Sequence, residues 1–267
     1  MLKLFLTLFL YAIQISYLLA YYGQCTFLSS NSTLKIADTL NGQIRGECYT
    51  VPVSYSNNTK ISTDVFSWLS IPYAVAPIGQ NRFKRPIPVK NWTGIIDGTK
   101  LPNTCMQNSP PSSLASQMSE DCLYLNVFVR SDKLTNKMNS LSPVLIFIHG
   151  GDFTAGSSSE SLYDPSTIVA MSGIIVVTIN YRLDAFGFLR LEGSDATGNQ
   201  AIHDQNLALA WVHDNAVTFG GDPNKVTING ESAGADSVGY HLLYPESWPY
   251  FRNAILQSGG PLYKGKF

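Results

Sequence analysis

Gly230-Glu231-Ser232-Ala233-Gly234 constrains this chain more than any other stretch. It sets a serine between two glycines, directly after the apolar run Val226-Thr227-Ile228-Asn229 and before a helix-like run from Ala235 to Tyr244. A strand that delivers into a helix through so short a turn holds the serine in a strained conformation. Glycines two before and two after relieve the crowding and leave the hydroxyl exposed. This is the strand–turn–helix context of a nucleophile elbow. The plainer alternative is a glycine-rich turn around an ordinary serine.

A second motif weighs against that alternative. His149-Gly150-Gly151-Asp152-Phe153 follows Val144-Leu145-Ile146-Phe147-Ile148, a continuous apolar run of strand length. A buried strand that ends in two glycines leaves backbone N–H groups free to face a ligand. Acyl transfer needs such donors, because negative charge builds on the carbonyl oxygen in the transition state. Candidate oxyanion-hole donors are the N–H groups of Gly150, Gly151 and Asp152, with that of Ala233, the residue after the serine.

Further stretches share one pattern. They include Ile71-Pro72-Tyr73-Ala74, Arg82-Phe83-Lys84-Arg85-Pro86, Ser119-Glu120-Asp121-Cys122-Leu123-Tyr124-Leu125-Asn126 and Asn180-Tyr181-Arg182. Gly187-Phe188, Asp204-Gln205 leading to Trp211-Val212, Phe219-Gly220-Gly221-Asp222-Pro223 and Gln257-Ser258-Gly259 follow in order. With the two glycine motifs, the chain resembles the type-B carboxylesterases, the cholinesterase-like branch of the α/β-hydrolases, over roughly residues 35–262. The resemblance implies an α/β fold with a mostly parallel central sheet flanked by helices. It also implies a serine carboxylic ester hydrolase acting through an acyl-enzyme on Ser232, with a small-molecule ester as its partner.

Local patterns agree with that fold. Ile174 to Ile179 reads as a second buried strand and Ala254-Ile255-Leu256 as the strand after the elbow helix. Asn199 to Phe219 reads as a long helix, with Ile202, Leu207, Ala210, Trp211 and Val217 near helical spacing and Gly220 as its stop. Parallel strands bring the loops at their carboxyl ends together, and both glycine motifs sit at such ends.

A chain of 267 residues, 45% hydrophobic and 14% charged, has the composition of a globular protein that buries a large core. Its net charge of −1 leaves no electrostatic footprint for nucleic acid. Lys3 followed by the apolar stretch Leu4 to Ala20 reads as a secretory leader cut near Ala20, against the rival of an uncleaved anchor. Residues 1–20 are therefore set apart from the hydrolase domain of residues 21–267, and a secreted protein without a stable membrane span is expected. Four cysteines behind a leader argue for bridges, in any of three connectivities. The resemblance implies Cys105–Cys122, which closes a loop of 16 residues, and leaves Cys25 for Cys48. In the chain-entropy picture that 16-residue closure stabilises by about 3 kcal/mol. No C-x-x-C pair or histidine cluster suggests a metal, and no cofactor is expected. Asn31, Asn57 and Asn91 are N-x-S/T glycosylation acceptors.

The resemblance also assigns structural residues. Arg82 with Glu120 and Arg182 with Asp204 are expected as ion pairs tying loops to the sheet, at a cost of about 3–5 kcal/mol if a buried pair is broken. His203, His213 and His241 read as structural or surface histidines on helices.

Several departures narrow the reading. The cholinesterase loop matching Cys105–Cys122 carries a tryptophan for a quaternary ammonium, whereas Met106 to Asp121 contains no aromatic residue. A neutral carboxylic ester is therefore expected over a choline ester. The acid and histidine of the triad follow the serine in this family. No histidine follows His241 here, and the last residue, Phe267, stands 35 positions after Ser232. The expectation is an N-terminal portion of such an enzyme, in which efficient turnover is not supported by these residues alone. Asp152 replaces the third glycine of H-G-G-G. A carboxylate 4–5 Å from an oxyanion would cost roughly 3–4 kcal/mol at an effective dielectric of 20, unless it points away or is neutralised by burial. It could instead orient a water toward an acyl- or phosphoryl-serine. Ser70, Asp184 and Ala235 also stand where the family shows glycine, so positive φ there would carry strain. The rival function class is a non-catalytic relative used for adhesion or recognition, as in neuroligin-like proteins.

Overall fold

The computed structural model describes residues 23–25, 34–54, 60–108, 110, 117–135 and 141–262. The leader segment and the acceptors Asn31 and Asn57 lie outside the described residues.

One large sheet organises the chain. Its strands are β1 (Gly23–Gln24), β2 (Leu34–Asp38), β3 (Gln43–Ser54), β4 (Lys60–Pro72) and β5 (Ile95–Asp97). After a separate short pair, β6 (Thr104–Cys105) and β7 (Met118–Ser119), come β8 (Tyr124–Arg130), β9 (Ser142–Ile148), β10 (Ile175–Ile179), β11 (Gly221–Glu231) and β12 (Asn253–Gln257). The order across the sheet is β1-β3-β4-β8-β10-β9-β11-β12, with β2 and β5 also on β3. The half from β3 to β10 is built of antiparallel pairs, whereas β10, β9, β11 and β12 run parallel. The expected mostly parallel central sheet flanked by helices is present in the core as β10-β9-β11-β12, which carries the two glycine motifs, and antiparallel strands extend it on one side.

Helices cover both faces. They are α1 (Ser131–Thr135), α2 (Ser166–Ser172), α3 (Asp184–Phe188), α4 (Gln200–Asn215) and α5 (Ala233–Leu243). On one face Val169 and Ala170 of α2 pack with Val51, Val65, Phe128 and Val176. On the other, Ala208, Leu209 and Val212 of α4 and Val238 of α5 join Val127, Ile146, Val177 and Ile228. All five residues of β10 are buried, which is why its sequence is a continuous apolar run rather than an alternating one.

The expected long helix ends earlier than its pattern suggests. After Asn215 the chain tightens to a 3-10 turn over Ala216–Phe219, and Gly220, at φ 80°, closes it. A β-carbon at Gly220 would lie 2.8 Å from the Lys133 carbonyl oxygen. Val217 consequently faces solvent, while Phe219 turns into the core edge-on against Trp68, ring centres 5.2 Å apart.

Two disulfides link Cys105 to Cys122 and Cys25 to Cys48. The two ion pairs differ in setting. Arg182 and Asp204 are buried: Nε donates to Oδ2 at 2.7 Å, an Nη2 to Oδ1 at 2.6 Å, and the Arg182 backbone N–H to Oδ2 at 3.1 Å. Arg82 and Glu120 meet just as closely, at 2.5 and 2.7 Å, but on the surface, with the arginine side chain 41% exposed. The buried-pair energy therefore applies to the first pair and not to the second.

Candidate active site

The parallel strands create the position. From β9 the chain passes through α2 to β10 on one side, then through α4 to β11 on the other side of β9. Such a reversal of strand order opens a crevice at the carboxyl ends of the strands. Ile148, the last residue of β9, pairs with Gly230 of β11, so the loop after β9 and the turn after β11 emerge side by side.

Ser232 occupies that turn with φ 54° and ψ −123°. Left-handed backbone of this kind is costly for a residue with a β-carbon, by about 1–3 kcal/mol, and persists only where the surroundings enforce it. The surroundings are explicit. The Ser232 N–H donates to the Gln257 carbonyl at 2.8 Å, and the Asp236 N–H donates to the Ser232 carbonyl at 3.0 Å. A β-carbon at Gly230 would lie 2.1 Å from the Gly234 carbonyl oxygen, and one at Gly234 would lie 2.1 Å from that of Ile148. Both glycines of the motif are therefore required by backbone contact. A serine at a helix N-cap ordinarily accepts a bond from its own helix, but Ser232 makes no such cap. Its hydroxyl is uncommitted among the described residues, at the amino end of α5, where the helix dipole favours negative charge.

The loop after β9 closes against this turn. A β-carbon at Gly150 would lie 3.1 Å from that of Ser232 and 2.7 Å from the Glu231 carbonyl oxygen. Gly151 has φ 110°, and Asp152 and Phe153 have φ 54° and 59°. Peptide planarity then orients the N–H groups, because each points opposite to the carbonyl of its own peptide. The Gly150 carbonyl accepts a bond from His149 Nδ1 at 2.8 Å, which turns the Gly151 N–H the other way. The Gly151 carbonyl accepts from Thr154 and Ala155 N–H at 3.0 and 2.9 Å, which does the same for Asp152. None of the four candidate donors has a hydrogen-bond acceptor among the described residues, and the bonds on the Gly150 and Gly151 carbonyls fix the direction of the Gly151 and Asp152 N–H groups.

His149 is the hinge pin of this loop. It is buried and stacked on Tyr181 at 4.4 Å between ring centres, and the Tyr181 hydroxyl donates to its carbonyl at 2.8 Å. Burial lowers its pKa to about 4, partly offset by the bond to Gly150, so the ring is neutral with its proton on Nδ1. Gln107, inside the Cys105–Cys122 loop, clamps the far end of the turn. Its Nε2 donates to the Gly156 carbonyl at 3.0 Å and its Oε1 accepts the Gly156 N–H at 2.9 Å.

The setting is acidic. Burial and the charges of Glu160 and Glu231 push the Tyr163 phenol up to about 12, and burial also raises the Glu160 carboxyl. Asp152 is exposed, so burial does not shield it from water. Ser70 and Asp184 have φ of 54° and 50°, as expected of positions where glycine is usual. Ala235 departs from that expectation: it lies inside α5 without positive φ, so its side chain carries no such strain. Gln107 has no local signature. It reaches the loop only through the folding of the chain between them.

None of the three helix histidines approaches Ser232 as a partner. His241 is buried with Nδ1 2.8 Å from Ser247 Oγ and Nε2 3.1 Å from Gln205 Oε1. His203 is half-buried beside Tyr244, and His213 lies on the surface next to Asp214. Among the described residues, no helix is long and apolar enough to cross a membrane.

Comparison with known proteins gives a concordant result. A family model described as "Carboxylesterase family" matches residues 33–266. Acetylcholinesterase of Gallus gallus is 44% identical over 235 residues, covering 84% of this chain and 29% of its own length. Acetylcholinesterase of Electrophorus electricus is 45% identical over 231 residues (82% and 35%), and Cholinesterase of Mus musculus 43% over 235 residues (84% and 37%). The chain spans about a third of the length of these relatives.

Proposed function

Since the chain belongs to the carboxylesterase family, which has the α/β-hydrolase fold, we propose that Ser232 is the nucleophile of a secreted serine carboxylesterase that acts on a small-molecule carboxylic ester. Its Oγ attacks the ester carbonyl, and the N–H groups of Gly151, Asp152 and Ala233 receive the oxyanion. The alcohol then leaves, and water releases the acid from the acyl-serine. Gly150 serves as the spacer that lets the loop approach the serine. The general base and its orienting acid belong, in this reading, to the part of the protein that this chain does not span. The observation that carries the proposal is Ser232 at φ 54° and ψ −123° with its hydroxyl uncommitted, between two glycines that tolerate no β-carbon.

A neutral ester is the proposed substrate. Two of the relatives are named as acetylcholinesterases, but Met106 to Asp121 holds no aromatic side chain to receive a quaternary ammonium. Secretion, with removal of the leader near Ala20, fits the two disulfides, which form in oxidising compartments. Glycosylation at Asn31, Asn57 and Asn91 belongs to the same reading.

One observation favours a second reading, an adhesion or recognition protein: Asp152 places a carboxylate in the loop that would hold an oxyanion. Labelling the full-length protein with a fluorophosphonate ester probe separates the two. Covalent labelling that disappears in Ser232→Ala supports the esterase. Labelling that is absent, or indifferent to that substitution, gives the recognition reading.

A further inference from the structure

We infer that Asn91 is an N-glycosylation site whose acceptor nitrogen the fold itself turns outward, so that the folded protein carries the glycan without losing a contact. This rests on the reading that the chain enters the secretory pathway. The sequon Asn91-Trp92-Thr93 lies in irregular chain, with Asn91 and Thr93 exposed. Space is open just beyond it, since even a β-carbon at Gly94 would meet nothing within 4 Å. The middle residue is anchored: the Trp92 backbone N–H donates to the Asn41 carbonyl at 2.9 Å and its indole to the Gln43 carbonyl at 3.1 Å.

The orientation of Asn91 follows from a chain of donors. An indole N–H can only donate. Trp211 Nε1 donates to Asn41 Oδ1 at 2.9 Å, which settles which end of the Asn41 amide is oxygen. Asn41 Nδ2 must then be the donor on the other side, and it reaches Asn91 Oδ1 at 3.3 Å. Asn91 thereby offers its oxygen inward, to Asn41, and its nitrogen outward. Glycan transfer uses that nitrogen. The Asn91 Nδ2–C1 bond forms at the anomeric carbon of a lipid-linked oligosaccharide diphosphate, the C1–O bond to the diphosphate breaks, and one amide proton is lost. Oδ1 keeps its lone pairs and its bond from Asn41.

The site is also clear of Ser232. Asn41 meets Trp211 near the end of α4, and Leu40 N–H reaches Asn215 at 2.8 Å. From there the Gly220 carbonyl accepts the N–H of Ser142, the first residue of β9, at 2.9 Å. Asn91 thus lies at the amino ends of the parallel strands and Ser232 at their carboxyl ends, roughly 20 Å away along a seven-residue strand.

The test translates the full-length protein with microsomes behind a heterologous cleavable leader, alongside Thr93→Ala. The expected result is a glycan on Asn91, read by mass spectrometry as conversion of Asn91 to aspartate on treatment with a peptide-N-glycosidase in heavy-oxygen water, and its loss in Thr93→Ala. The glycosylated protein should melt no lower than Thr93→Ala. An unmodified Asn91 in the translocated protein overturns the inference, and so does a glycosylated protein with a measurably lower midpoint. Repeating the translation with the native leader tests the secretory reading separately: failure to translocate there sinks that reading while leaving the Asn91 result standing.

Discussion

Acid should destabilise this protein through two buried imidazoles. His149 and His241 have 1% and 0% of their surface exposed. In an unfolded chain a histidine titrates near 6.5. Burial lowers His149 to about 4, and burial together with the nearby His203 lowers His241 to about 3. Both groups thus have folded pKa values below their unfolded ones. Their contribution is fully present above pH 6.5 and is lost as pH falls from there toward the folded values, where the unfolded chain holds the extra protons. Each histidine adds a slope approaching about 1.4 kcal/mol per pH unit inside that window. For His241 the loss between pH 6.5 and 4 amounts to about 3 kcal/mol, an order-of-magnitude figure. The assay is urea denaturation of the full-length protein and of His241→Gln at a series of pH values from about 7 to 4.5. Glutamine keeps an amide N–H for Gln205 Oε1 but cannot titrate. The variant should be less stable at pH 7 and lose stability less steeply, so that the two curves converge in acid. Carboxylates titrate in both proteins and cancel in the difference. Parallel curves would refute the reasoning, since they would mean that His241 takes up no extra proton on unfolding.

Three further outcomes are expected. Gly230→Ala and Gly234→Ala should each cost more than about 4 kcal/mol or prevent folding, read from denaturant midpoints, because the added carbon would lie 2.1 Å from a carbonyl oxygen in either case. Asp204→Asn should cost about 3–5 kcal/mol by leaving the buried Arg182 guanidinium without a counter-charge, whereas Glu120→Gln at the exposed Arg82 pair should cost far less; equal losses by thermal denaturation would contradict the burial argument. Asp152→Gly should raise kcat/KM for a neutral ester about fivefold in the full-length protein. The repulsion of roughly 3–4 kcal/mol expected at an effective dielectric of 20 does not apply, because exposure to water lets the effective dielectric approach 80 and the repulsion falls to about 1 kcal/mol. An unchanged rate would remove Asp152 as an obstacle to hydrolysis.

The parallel half of the fold was legible because its signals are local. The apolar runs before His149 and Ser232 sit at the strand ends where they were read, the elbow glycines answer to backbone contacts, and Gly220 stops its helix with left-handed φ. Local patterning was less reliable where backbone geometry overrode it. Val217 fits the helical spacing of α4 yet faces solvent once the helix tightens, and Ala235 fits the family's glycine position yet takes ordinary helical backbone. The antiparallel strands β3 and β4 went unread, because their pairing depends on partners distant in sequence.

Residue types and spacing, by themselves, determined the family, the candidate nucleophile and the two strand ends that frame it. Only the tertiary structure decided which N–H groups are free to meet an oxyanion. That depends on the His149 proton sitting on Nδ1 and on Gly151 accepting from Thr154 and Ala155. A backbone donor has no letter in the sequence. Its direction is set by what its neighbouring carbonyls bond to, and those partners are chosen by packing in three dimensions.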